Sequence, residues 1–141
     1  MVCQDIVIMV ACFGFALALI PSILGKNKPA RLSCLITNEE RKVVFVSGPF
    51  RAETQWEILQ NVRRAEEVSL RLIKQGYFPI CPHTMSQNWQ GVCPDKVFLA
   101  WCIALLGISH AIYMMDGWMF SAGSKDELAF ALENDMEVIY E

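Results

Sequence analysis

No CxxC pair, no regular cysteine spacing and no excess of basic charge occur in this sequence, and each absence removes a class of function. The six cysteines, Cys3, Cys12, Cys34, Cys81, Cys93 and Cys102, do not form the spaced framework of a disulfide-stapled secreted domain, and they read as reduced thiols of a cytosolic one. Cys81, His83 and Cys93 supply three candidate zinc ligands, but a fourth at a recognisable spacing is lacking, so no metal and no other cofactor is expected. The formal net charge of -3 leaves no basic face able to neutralise a run of phosphates, so nucleic acid is not an expected partner. A small neutral or anionic ligand remains compatible with that charge. Internal repeats and low-complexity tracts are also missing.

Charge is absent altogether from Ile6 to Leu24, nineteen residues reading IVIMVACFGFALALIPSIL, close to the ~20 that cross a bilayer as a helix. A membrane-spanning segment over residues 1–25 is the leading reading, with a buried or interfacial helix as the alternative. A cleaved secretory signal would need a positive start, and Met1-Val2-Cys3-Gln4-Asp5 has none. Lys26, Lys28, Arg31, Arg41 and Lys42 follow the run, so the positive-inside rule places what comes after it in the cytoplasm. Residues 26–41 read as a juxtamembrane linker and residues 42–141 as one globular domain.

Within 42–141, β-branched runs alternate with helical patterns, which predicts a small Rossmann-like or flavodoxin-like α/β fold: a mostly parallel four-stranded sheet with flanking helices. The expected strands are Val43 to Ser47, Tyr77 to Cys81, Ala111 to Met115, and EVIY from Glu137. Pro79 argues for an edge position of the second. Thr54-Gln-Trp-Glu57 fits a capping box opening a helix with Ile58, Val62, Ala65, Leu72 and Ile73 on its inner face, stopped at Gly76. Pro82 to Pro94 reads as a long loop. The next helix, beginning at Pro94 or Asp95, is apolar on nearly every face, which predicts burial on more than one side and a homo-oligomer contact through residues 95–107. Ser124-Lys-Asp-Glu127 fits a second capping box, which puts Glu127 in the first turn of the last helix.

In parallel sheets ligands sit beyond the carboxyl ends of the strands. Ser47-Gly48-Pro49-Phe50, Pro82-His83-Thr84, Asp116-Gly117-Trp118 and Ser121-Ala122-Gly123-Ser124 are all expected there. Trp118 and Trp89 have the faces to stack on a base or to fill a core. His83 suits acid or base work by its ordinary pKa.

The combination SGPF after the first strand, CPHT after the second, and DGWMFSAGSKDELAFA leading into the last helix resembles the nucleoside 2-deoxyribosyltransferase superfamily. The closest likeness is to a compact branch with a GW..S.G...E...A pattern. The resemblance covers about residues 42–141, and its final motif is the most specific part. It implies a nucleoside or nucleotide ligand and cleavage or transfer at the N-glycosidic bond, with Glu127 as nucleophile and Ser121 holding the sugar or phosphate. Ser47, Gly48, Pro49, His83, Asp116, Trp118 and Gly123 complete the expected binding residues. A carboxylate below the sugar ring and a proton source at the departing base are what retention at the anomeric carbon needs. A first-turn Glu would be kept ionised by the helix dipole, although a capping Glu requires no catalytic role.

Two positions depart from the pattern that the resemblance implies. Family enzymes carry an Asp eight residues before a second Asp ahead of the third strand; these positions here are Cys102 and His110. Some carry a Tyr in the first strand, and Phe45 stands there. A thiol is a poor proton donor, so the alternative reading is a catalytically impaired nucleoside-binding sensor tethered to the membrane.

Overall fold

The computed structural model describes residues 41–141, and the expected membrane segment and nearly all of the linker lie outside them. Among the described residues no helix is long and apolar enough to cross a membrane.

The elements run β1 (Val43–Ser47), α1 (Gln55–Lys74), β2 (Phe78–Ile80), α2 (Pro82–Met85), α3 (Asp95–Gly107), β3 (Ala111–Met114), a 3-10 turn (Trp118–Phe120), α4 (Ala122–Glu133) and β4 (Glu137–Tyr140). The four strands form one all-parallel sheet in the order β2-β1-β3-β4. The proline-bearing β2 lies on an edge, as a residue without a backbone N–H requires. β1 and β3 occupy the centre and are apolar on both faces, because both faces are covered.

Alternation along β1 divides the core. Val44 and Val46 pack with Ala65, Val68 and Leu72 of α1, while Phe45 points to the other face and packs with Leu106 of α3 and with Leu128 and Ala131 of α4. Ser47 is in step with Phe45, so its hydroxyl is delivered to the α3 and α4 side. Each fully buried Val or Leu in these layers contributes about 1.5 to 3 kcal/mol.

The first capping box forms as the sequence suggests: the Thr54 hydroxyl accepts from the Glu57 N–H, and the Glu57 carboxylate accepts from the Thr54 N–H. The inner face of α1 is Val62, Ala65, Val68 and Leu72. Ile73, expected inside, is instead 54% exposed.

Three expectations are corrected. Pro82 to Pro94 is not wholly loop, because Pro82 at the first helical position starts the short α2. α3 is not enclosed on several sides by the described residues: only Leu106 is fully buried, while Val97 and, just past the helix end, Ile108 stay 49% and 70% exposed. The second capping box does not form. α4 begins at Ala122 with Ser121 as its cap, the Ser121 hydroxyl accepting from the Ser124 N–H at 3.3 Å, and Glu127 therefore falls in the second turn. Ser121 wins because a serine three residues before a free N–H is itself an N-cap, and it lies one turn earlier.

Candidate active site at the carboxyl ends of the central strands

Ser47, His83, Ser124 and Glu127 are the buried polar side chains among the described residues, and they come from β1, α2 and α4. Ser47 at the end of β1 is opposite Met114 at the end of β3, and the two flanking strands lie on opposite sides of this pair. Crevices of this kind, where the order of a parallel sheet reverses, are where such folds take ligands.

The Ser47 hydroxyl donates to Glu127 Oε2 at 2.5 Å. Glu127 keeps 8% of its surface exposed, and no ion pair among the described residues includes it. Burial pushes its carboxyl above the ordinary range, against the opposing pull of the Ser47 hydrogen bond, His83 and Cys102. The expectation that the helix dipole holds it ionised is thereby corrected. A second-turn carboxylate is beyond the dipole's reach, and desolvation dominates.

His83 Nε2 lies 3.1 Å from the Gly48 carbonyl oxygen. A carbonyl only accepts, so Nε2 carries the proton and Nδ1 is left as an acceptor, buried and without a partner. Burial lowers the His83 pKa, with Glu127 and the Gly48 and Pro49 carbonyls opposing. The ring is held edge-on to Phe50 at 5.7 Å. Ser124 Oγ is a second buried polar atom without a partner. Gln60 Nε2 is the third such atom among the described residues, and since buried polar atoms are nearly always paired, the two in this cluster leave hydrogen-bonding capacity unused beside a buried carboxylate.

Cys102 of α3 packs into the same layer, and its thiol is close enough to feel the Glu127 charge. Burial first and Glu127 second push that thiol up to about 12, so it stays protonated throughout the neutral range. Phe45 is fully buried in the core beneath.

The neighbouring loops close on one another. A side chain at Gly48 would put Cβ 2.8 Å from Met115 Sδ and 2.9 Å from its Cβ, so only glycine lets the β1 loop approach β3 this closely. Gly48→Ala should therefore destabilise the domain by about 1 to 3 kcal/mol, measured as a lowered midpoint in urea with an unchanged slope. Gly117, at φ +83°, brings the β3 loop alongside Pro49.

Not every expected residue joins the buried cluster. Asp116 is exposed, and its N–H donates to a Glu141 oxygen at 2.8 Å. Trp118 is half-buried and tilted against Tyr140 with ring centroids 6.2 Å apart. Ser121 is the helix cap, and a Cβ at Gly123 would meet nothing within 4 Å, so the start of α4 is open. Trp89 lies 6.1 Å from Trp101 in an apolar hollow of about 250 Å³ that contains none of the buried polar residues. Among the described residues no His, Cys, Asp and Glu group is arranged to hold a metal ion. Ser124 was expected at the ligand edge as part of its segment but not singled out as a binding residue, because its place in the second capping box suggested a purely local role.

Residues 42–141 match a family described as a domain of unknown function, DUF7768, and the chain belongs to that family. No curated protein matches the chain.

Proposed function

We propose that this DUF7768 protein binds a nucleoside or nucleotide and breaks or transfers its N-glycosidic bond, with Glu127 attacking the anomeric carbon. The observation that carries the reading is Glu127 itself: a nearly buried carboxylate, oriented by the Ser47 hydroxyl, unpaired by any described cation, and set at the carboxyl ends of β1 and β3. The Ser47 hydroxyl fixes one carboxylate oxygen, and attack on the sugar falls to the other, beside the Cys102 thiol. The unpartnered His83 Nδ1 and Ser124 Oγ supply an acceptor and a hydroxyl for the sugar's own hydroxyls. The resemblance in the run from Asp116 to Ala131 assigns Glu127 the same role.

A deprotonated Glu127 is required for attack and its pKa is raised, so activity should fall as the pH drops through that raised value. His83 acting as acceptor loses function in the same direction. The kcat/KM profile should therefore show an acid limb and stay flat on the alkaline side to at least about pH 9, since the Cys102 thiol ionises only near 12. A bell centred below neutrality would contradict it.

The direct test is incubation of the full chain with deoxynucleosides and their 5′-monophosphates, with free base followed by chromatography. Release of base that is lost in Glu127→Gln is the expected result, and the enzyme reading is rejected when neither these series nor N-glycosides of cationic bases release base. A second reading, a nucleoside sensor without turnover, is favoured by one observation: the position of the family's proton donor is held by a thiol that keeps its proton. Binding without release would select it.

The uncharged run before the basic cluster supports a membrane-anchored location with the domain in the cytoplasm. The full chain should sediment with membranes after detergent-free lysis, and a version lacking residues 1–41 should stay in the supernatant. Recovery of the full chain in the aqueous phase would remove the anchor. Val97 on α3 and Ile108 just past its end are exposed apolar side chains, and they support a homo-oligomer contact.

A further inference from the structure

We propose that the glycosides cleaved here are those of cationic heterocycles, pyridinium or N-alkylated purinium N-glycosides, whose nitrogen departs as a neutral base without receiving a proton. The inference rests on the reading of Glu127 given above and names the substrate class of that site.

Two independent features of the cluster point the same way. First, Glu127 is desolvated, yet none of the ion pairs among the described residues involves it. A carboxylate taken out of water without a counter-charge is costly, and a ligand that carries positive charge next to its anomeric carbon supplies what the described residues withhold. Second, the cluster holds acceptors and hydroxyls but no acid to give up a proton. The Ser47 hydroxyl points its hydrogen at Glu127, and the one ring N–H of neutral His83 is engaged by the Gly48 carbonyl. Cys102, in the place of the carboxylic acid of the resembling enzymes, retains its proton far beyond neutral pH. Asp116 is exposed and outside the cluster. A neutral purine leaves as an anion unless it is protonated, whereas a cationic ring needs no donor.

The steps balance without a further reactant. A Glu127 oxygen forms a bond to the anomeric carbon as the carbon–nitrogen bond breaks, and its electron pair goes to the nitrogen, which turns from cationic to neutral. Water then attacks the same carbon, the ester bond breaks, and the carboxylate returns. The proton of water passes to His83 Nδ1, the buried acceptor left without a partner, and on to solvent.

The test uses the full chain with N7-methylguanosine and its 2′-deoxy counterpart against guanosine and 2′-deoxyguanosine, and with nicotinamide riboside as the pyridinium case. Each rate is corrected for uncatalysed release. Within a matched sugar, the cationic member should be cleaved with kcat/KM at least ~100-fold above the neutral one, the lower range of what a positioned acid contributes, and Glu127→Gln should remove the cleavage. A smaller ratio, with guanosine or 2′-deoxyguanosine turned over, overturns the inference and leaves the Glu127 nucleophile standing. Failure to cleave either class overturns both.

Discussion

Glu127→Gln should abolish turnover and at the same time make the protein more stable. Loss of a covalent nucleophile whose partners remain in place lowers kcat by about 10,000-fold or more. The amide oxygen still accepts from Ser47, so the local geometry survives and the loss is chemical. Stability moves the other way because the wild type carries a desolvated carboxylate. Its folded pKa is raised, so its stabilising contribution is present below the unfolded carboxylate value and is lost as pH rises through the folded one. The variant should thus match the wild type in acid and exceed it at neutral pH by about 1 kcal/mol, seen as a rise of roughly 5 °C in Tm. His83 works in the opposite sense: its lowered pKa gives stability present above the unfolded imidazole value and lost as pH falls through the folded one. Glu127 opposes that lowering, so Glu127→Gln deepens it, and the two proteins are compared at neutral pH and above, where His83 is neutral in both. Equal Tm values at neutral pH, or retained turnover, would be the adverse results.

Cys102→Asp should raise cleavage of neutral deoxynucleosides by about 100- to 10,000-fold, the usual worth of a positioned proton donor. The position faces Glu127, and two carboxyl groups so close cannot both ionise. One of them keeps a proton and serves as the acid, the pair titrating as a unit. With a cationic leaving group, which needs no donor, the gain should be absent. The substitution puts a polar group in a half-buried position at a cost of about 1 to 3 kcal/mol, so folding is checked by thermal melting in parallel. Glu127→Gln added to Cys102→Asp should cancel the gain. An active wild type that Cys102→Asp leaves unchanged would mean that the proton comes from elsewhere, with His83 and Asp116 the next positions to substitute.

The sheet was legible in the sequence because its causes are local. Apolar β-branched runs ending in Gly48-Pro49 and in Cys81-Pro82 predicted strands, and Pro79 predicted the edge. Thr54 and Glu57 predicted the start of α1. The second helix cap misled because Ser121 and Ser124 are both competent caps, and choosing between them depends on how the chain leaves β3 through the left-handed Gly117. The apolar composition of α3 did not disclose its orientation, since it has no polar face to point outward. That the loops after β1 and β2 and the start of α4 share one edge was legible from topology, but the absence of Asp116 and Trp118 from the buried cluster was not, and the pairing of Ser47 with Glu127, 80 residues apart, was not. Nor was the unpartnered His83 Nδ1, which depends on the Gly48 carbonyl choosing the tautomer.

The nucleophilic role of Glu127 is tested most directly by trapping the glycosyl intermediate. The full chain is incubated with a 2′-fluoro-arabino nucleoside of N7-methylguanine, whose fluorine slows both steps while the cationic leaving group keeps formation of the ester the faster, then quenched in acid, digested and weighed by mass spectrometry. The peptide carrying Glu127 should gain the mass of one fluorosugar, and fragmentation should place it on that residue. Base release without an adduct on Glu127, or an adduct on any other side chain, would contradict the role given to it here.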